Sequence, residues 1–201
     1  MRLHLNIVPL LTLVTALALT GCGTSASPSA STLRGPGNIA KVSFSSTAIK
    51  SSAKRAPTIP ALYTCDGENK PPPLRWGSVP AHTGELVLFV LGLKPIAGTR
   101  NVSISVEWAM AGINPALHHF DPAHLPQGAH PGLTASHTRG YSVCPKRGLT
   151  EQYVFELYGL PEGDAVPLNF EGLGVLTKLV TTSRETIANS HGSFGAIYKR
   201  A

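Results

Sequence analysis

The chain has 201 residues, 42% of them hydrophobic and 14% charged, with a formal net charge of +6, eight histidines and three cysteines. That length and apolar content suit one ordinary folded domain. The basic excess is modest and lacks a basic patch interleaved with aromatics, which argues against nucleic acid as a partner.

The N-terminus reads MRLHLNIVPLLTLVTALALTGCG. A short positive start, an apolar run from Ile7 to Leu19 and small residues after it form a secretory signal, too short for a stable membrane span. The run ends in Leu19-Thr20-Gly21-Cys22, which looks like a bacterial lipobox. Residues 1–21 are therefore expected to be removed and Cys22 to carry acyl chains, each buried methylene adding about 0.8 kcal/mol of membrane affinity. Cleavage takes away Arg2 and no acid, lowering the formal charge to +5. The expected location is the extracytoplasmic face of a cell membrane, or an outer membrane if the cell has one, with the membrane as a partner through the anchor. Residues 22–38, rich in Ser, Ala, Gly and Pro, form a tether that cannot bury enough surface to order itself. The folded domain is expected over residues 39–201.

Along that domain AKVSFSST, GELVLFVLGL, SISVEWAMAGI and EQYVFELYGL read as strands, and GSFGAIYKR as a last one. In SISVEWAMAGI, strict alternation would put Ile104, Val106, Trp108 and Met110 on one face and Ser105, Glu107, Ala109 and Ala111 on the other. A carboxylate on so apolar a strand is either solvated or paired, because a buried unpaired charge is costly. The segment 170–190 reads as partly helical, with Leu173, Leu176, Leu179, Val180 and Ile187 apolar. Residues 114–148 form a long loop, a length usually reserved for function or for self-packed segments. Short strands, Pro and Gly turns and little helix predict an antiparallel β-sandwich. Outside a reducing compartment Cys65 and Cys144 form a candidate disulfide, the alternative being two buried thiols.

Three segments in order, IPALYTCDGENKPPPLRW, VEWAMAGINP and GYSVCPKRGLTEQYVFELYGL, resemble the bacterial branch of the phosphatidylethanolamine-binding (Raf kinase inhibitor-like) proteins. The resemblance covers about Val42 to Arg200 and implies a two-sheet β-sandwich with a few short helices. It also implies a small pocket that in relatives binds phosphate-like groups. One wall in relatives is an Asp-Pro-Asp-x-Pro turn; here FVLGLKPIAG keeps Pro95 and carries no Asp. A His-Trp pair becomes Glu107-Trp108, and a His-Arg-Tyr run becomes Glu151-Gln152-Tyr153. The implied pocket residues are Asp66, Glu107, Trp108, Pro145, Glu151 and Tyr153, with Cys65 and Cys144 nearby.

Imidazoles can donate to phosphate, whereas carboxylates only accept and repel anions. The resemblance with these exchanges implies non-catalytic binding of a head group, amine or cation, or of an envelope protein, with no cofactor. A dead pocket working through the protein surface is the alternative. Less favoured are a metal site, since His118, His119, His124, His130 and His137 match no compact zinc spacing, and a carboxylate-dependent hydrolase. The matches SSAK at 51–54, GLG at 172–174 and the sequon at Asn101 lack supporting context.

Overall fold

The computed structural model describes residues 39–50, 56–181 and 187–201, all within the unit Arg34–Ala201. The expected signal peptide, Cys22 and the tether to residue 38 lie outside the described residues. Strands β1 (Ala40–Lys41), β4 (Thr83–Pro95), β5 (Val102–Ile113), β7 (His130–Pro131), β8 (Thr150–Pro161) and β9 (Ser190–Lys199) form a six-stranded sheet ordered β1-β9-β8-β4-β5-β7. Strands β2 (Phe44–Ser46), β3 (Leu74–Trp76) and β6 (His119–Phe120) form a three-stranded sheet facing it. The expected antiparallel sandwich is therefore present, with one exception: β1 runs parallel to β9.

The apolar run of β4 is continuous because both of its faces are covered. Leu86, Leu88 and Val90 point between the sheets, against Leu74, Trp76 and Phe120 of the small sheet and Phe155 and Leu157 of β8. Val87, Phe89 and Leu91 point the other way, under Leu176 and Leu179 of the single described α-helix, α1 (Gly172–Thr181), and beside Val166 and Phe170. Burying a side chain of this size contributes about 1.5–3 kcal/mol relative to leaving it exposed. The helix is narrower in its contacts than its sequence suggests: Leu173 and Val180 are each 54% exposed.

Strand β5 departs from strict alternation. Val90 pairs with Trp108 but Leu91 pairs with Val106, so Glu107 is an extra residue opposite the β4 backbone. Such a bulge turns two consecutive side chains toward the same side. Val106 therefore faces the helix side with Ala109 and Ala111, while Trp108 and Met110 face the small sheet. A second shift, between the pairs Leu86–Ile113 and Leu88–Met110, coincides with Gly112 at φ 70°. A Cβ there would stand 2.5 Å from the Gly128 carbonyl oxygen, so both conformation and space require glycine. The expected single-face set is thus split by the bulge at Glu107.

The long loop is built into the fold. It supplies β6 and β7, and Tyr141 and Val143 reach the inter-sheet core. Cys65 and Cys144 are joined as a disulfide, with Cα atoms 5.2 Å apart across 79 residues of sequence. Replacing both cysteines by serine should lower unfolding free energy by about 4 kcal/mol, the loop-closure entropy restored to the unfolded chain. Urea unfolding without reductant checks this, and a loss below about 1 kcal/mol would mean the unfolded chain is held together some other way.

Candidate functional site

The site lies where β4 leaves the core. Gly92 is in register with Ser105 of β5 and Tyr153 of β8, and it follows Leu88 and Val90 on the inter-sheet face. With no side chain at 92, the space above the backbone is taken by its neighbours. A Cβ there would meet Glu151 Oε1 at 2.5 Å, Glu107 Oε1 at 2.9 Å and Ser105 Oγ at 3.0 Å. Two residues on, Lys94 places Nζ 3.4 Å from Glu151 Oε1 and 3.7 Å from Glu107 Oε1. The two carboxylates and one ammonium thus converge over Gly92.

Each acid is held differently. The bulge points Glu107 to the same side as Trp108, so Glu107 reaches Gly92 while Trp108 goes down into the core. Ser105 Oγ donates to Glu107 Oε1 at 2.6 Å. Glu151 is only 7% exposed, because β8 lies between β4 and β9, and its Oε1 is buried with no hydrogen-bond partner among the described residues. Lys94 stands at ion-pair distance from that oxygen on a side chain 54% exposed. Burial pushes the Glu151 carboxyl above its ordinary value; Lys94 pulls it down and Glu107 pushes it further up. Tyr153, in register with Gly92, has its phenol pushed up by burial and then by both carboxylates.

The other implied pocket residues fall into two groups. Trp108 is 2% exposed, edge-on to Phe120 at 5.2 Å and Tyr141 at 5.7 Å, and forms the floor beneath the acids. Asp66 and Pro145 belong to a neighbouring cluster. Asp66 accepts from Tyr198 Oη at 2.6 Å and from Arg200 Nε at 3.1 Å. Arg200 also donates to the Pro145 carbonyl oxygen at 3.3 Å and reaches Cys144 Sγ at 3.2 Å. The Tyr198 hydrogen bond, then Arg200 and Arg147, hold the Asp66 carboxyl below its ordinary value. Tyr198 is the cross-strand partner of Glu151, so the two clusters are adjacent and meet at Tyr198. The Asp66 carboxylate is engaged by Tyr198 and Arg200, next to the disulfide.

Of the loop histidines, His118, His119, His124 and His137 are exposed, and His124 Nδ1 lies 3.3 Å from Asp121 Oδ2. His130 is bound to carbonyl oxygens of Gly128 and Val166. The described residues contain no group of three or more His, Cys, Asp or Glu able to hold a metal.

Lys94, Ser105 and Gly92 were not singled out from the sequence. The signal was present for two of them: counting by twos from Leu88 and Val90 leads to Gly92 and Lys94. Ser105 requires the β4–β5 register and the bulge.

A family model described as phosphatidylethanolamine-binding protein matches residues 49–194. A Mycobacterium tuberculosis protein named as lipoprotein LppC is 33% identical over 117 residues, 57% of this chain and 55% of that one. This chain therefore spans little more than half the length of that relative. A UPF0098 protein of Methanothermobacter thermautotrophicus is 36% identical over 108 residues, 51% of this chain and 68% of that one. Two crystal structures share the fold: the phosphatidylethanolamine-binding protein homolog CT736 of Chlamydia trachomatis (TM-score 0.62, 19% identity, covering 80% of this chain and 99% of that one) and E. coli YbcL, a member of the same family (TM-score 0.61, 20% identity, covering 81% and 100%). With the family model matching most of the chain over the strands that build the site, this chain belongs to the phosphatidylethanolamine-binding protein family.

Proposed function

We propose that this protein is a lipid-anchored, extracytoplasmic binding protein without catalytic activity, whose pocket takes a cation or an amine-bearing group in place of phosphate. The observation that carries the reading is the convergence of Glu107 and Glu151 on one point above Gly92, with Lys94 the only cation within ion-pair distance among the described residues. Two carboxylates against one ammonium leave the site net negative, and phosphate would meet repulsion from both acids. The lipobox at Cys22 and similarity to a protein named lipoprotein LppC support membrane anchoring.

A second reading, in which the pocket is idle and the surface engages an envelope protein, has one observation in its favour. Ile96, Val102 and Ile104, on and beside the β4–β5 hairpin next to the site, are each 45–49% exposed.

Calorimetric titration of phosphate, phosphoethanolamine, amines and divalent cations separates the readings. The native protein should bind a cation and ignore phosphate, and a Glu107→His, Glu151→His double variant should lose that cation. Tight phosphate binding at neutral pH by the native protein would sink the proposal; indifference of both proteins to every compound would move attention to the hairpin.

Cation binding needs Glu151 ionised. Its folded pKa lies above the ordinary 4.5, so its contribution to stability is present below that value and is lost as pH rises through the folded pKa. Affinity moves the opposite way, rising with pH over the same window, with Lys94, Glu107 and Tyr153 the other titratable groups facing it. Glu151→Gln should be as stable as the native protein or more so at neutral pH, lose that advantage below 4.5, and show no such affinity rise. Paired thermal melts and titrations across pH 4–8 read both.

Gly92→Ala would drive a methyl into both carboxylates and Ser105 Oγ. These are side-chain ends that can move, so the fold should lose less than about 2 kcal/mol, while cation affinity drops by more than tenfold. Unchanged affinity would place the ligand elsewhere.

A further inference from the structure

Resting on the cation-site reading above, we infer that Lys94 is a tethered occupant of the pocket, and that the external ligand is a primary ammonium group that displaces it. The inference begins with what the site already holds. Lys94 Nζ, itself a primary alkylammonium, stands 3.4 and 3.7 Å from the two carboxylates, so the site shows its complementarity to that group on its own chain. The fit is incomplete. Glu151 Oε1, on a side chain 93% buried, points into the same space and has no hydrogen-bond partner among the described residues, even with Lys94 beside it. The long contact to Lys94 offsets only part of that oxygen's desolvation. An incoming ammonium with three donors and no tether can approach closer and satisfy it.

The position of Lys94 makes it displaceable. It is the penultimate residue of β4, with its side chain 54% exposed and anchored only through a flexible stem. Its ammonium stands at the water interface while Glu151 is enclosed, so Lys94 leaves readily only when an incoming cation takes over the buried carboxylate.

The donor set also narrows the class of ligand. Calcium takes about six to eight oxygens and magnesium keeps several waters, so either would be held largely by water at this half-enclosed site of two carboxylates and a Ser105 hydroxyl committed to Glu107 at 2.6 Å. A guanidinium binds best across both oxygens of one carboxylate; here one oxygen from each of two acids converges on one point. A compact tetrahedral donor suits that arrangement better.

An occupant that must leave lowers apparent affinity by the fraction of molecules in which it is seated. Removing it therefore strengthens binding, the reverse of what removing a ligand-contacting residue does.

The test titrates the full chain in detergent with ethylammonium, with tetramethylammonium and calcium at equal ionic strength as controls. The Lys94→Met variant should bind ethylammonium at least about tenfold more tightly than the native chain, and neither control cation should show the gain. In the native chain, the NMR signal of Lys94 Nζ should move as ethylammonium is added, a readout that does not depend on the variant folding. Equal affinity in native and Lys94→Met proteins, or weaker affinity in a folded Lys94→Met, would overturn the inference while leaving the cation-site reading intact. Preference for calcium would do the same. Failure of every cation to bind either protein would take down both. Repeating the NMR experiment with phosphatidylcholine vesicles, with and without a lipid bearing a primary-amine head group, assigns the source. Either a response to free amine alone or a response to the amine lipid supports displacement; silence to both overturns it.

Discussion

From Leu86 to Val90, strand β4 has no exposed atom to speak of, and the rest of the domain is arranged around that fact. A strand buried on both faces needs partners on both edges, because buried N–H and C=O groups must be bonded. β5 and β8 supply them, and the small sheet and α1 cover the two faces. The site exists where this enclosure ends. At Gly92 the inter-sheet face changes from Val90 to a position with no side chain, and two residues on Lys94 is exposed to water. β8 is still flanked by β4 and β9 at that level, so Glu151 stays enclosed when Lys94 does not. The depth of one acid and the exposure of the base both follow from where β4 leaves the core.

The arrangement over Gly92 is not what stability alone would favour. Apolar residues of similar volume usually match or exceed a buried charge cluster in stability, and here burial works against the ionised form of Glu151. The surroundings hold the cluster in place. Ser105 fixes Glu107, Trp108 packs beneath it between Phe120 and Tyr141, and Tyr198 beside Glu151 is fixed by Asp66. Asp66 in turn is held by Arg200, which bridges to Cys144 of the disulfide. A costly polar cluster on a rigid frame is the pattern of a site whose geometry is kept for use.

Much of this was readable from the residues in order. The main strands, the sandwich and the helical segment follow from alternation, Pro and Gly punctuation and apolar spacing, and Glu107, Glu151 and Tyr153 were placed together by resemblance. The face assignment on β5 was not readable, because a bulge changes the phase of alternation and depends on tertiary pairing rather than local pattern. The same phase change hid Ser105 and the shared direction of Glu107 and Trp108. The partners of Asp66 were not readable either: Tyr198 and Arg200 are more than 130 residues away in sequence. Lys94 was overlooked for a different reason: it sits in a stretch read for the acids it lacks rather than for the base it has.

That base bears on whether the pocket is altered or merely decayed. In relatives, by the resemblance, one wall carries acids and two carry histidines. Here the first wall, Phe89 to Gly98, has no acid and has Lys94, while the other two have Glu107 and Glu151. The charges have been exchanged on both sides of the site, and the exchanged groups meet at 3.4 and 3.7 Å. Loss of function by drift would replace pocket residues independently, and a buried acid left without a base would be among the most destabilising results. Reciprocal exchange instead preserves a charged, partly enclosed site. The deep group now is a carboxylate with an unmet oxygen, and the exposed one is an ammonium on a flexible stem. A site with that polarity asks for a positive donor at its enclosed end, and among the described residues the positive group beside it is the half-exposed Lys94.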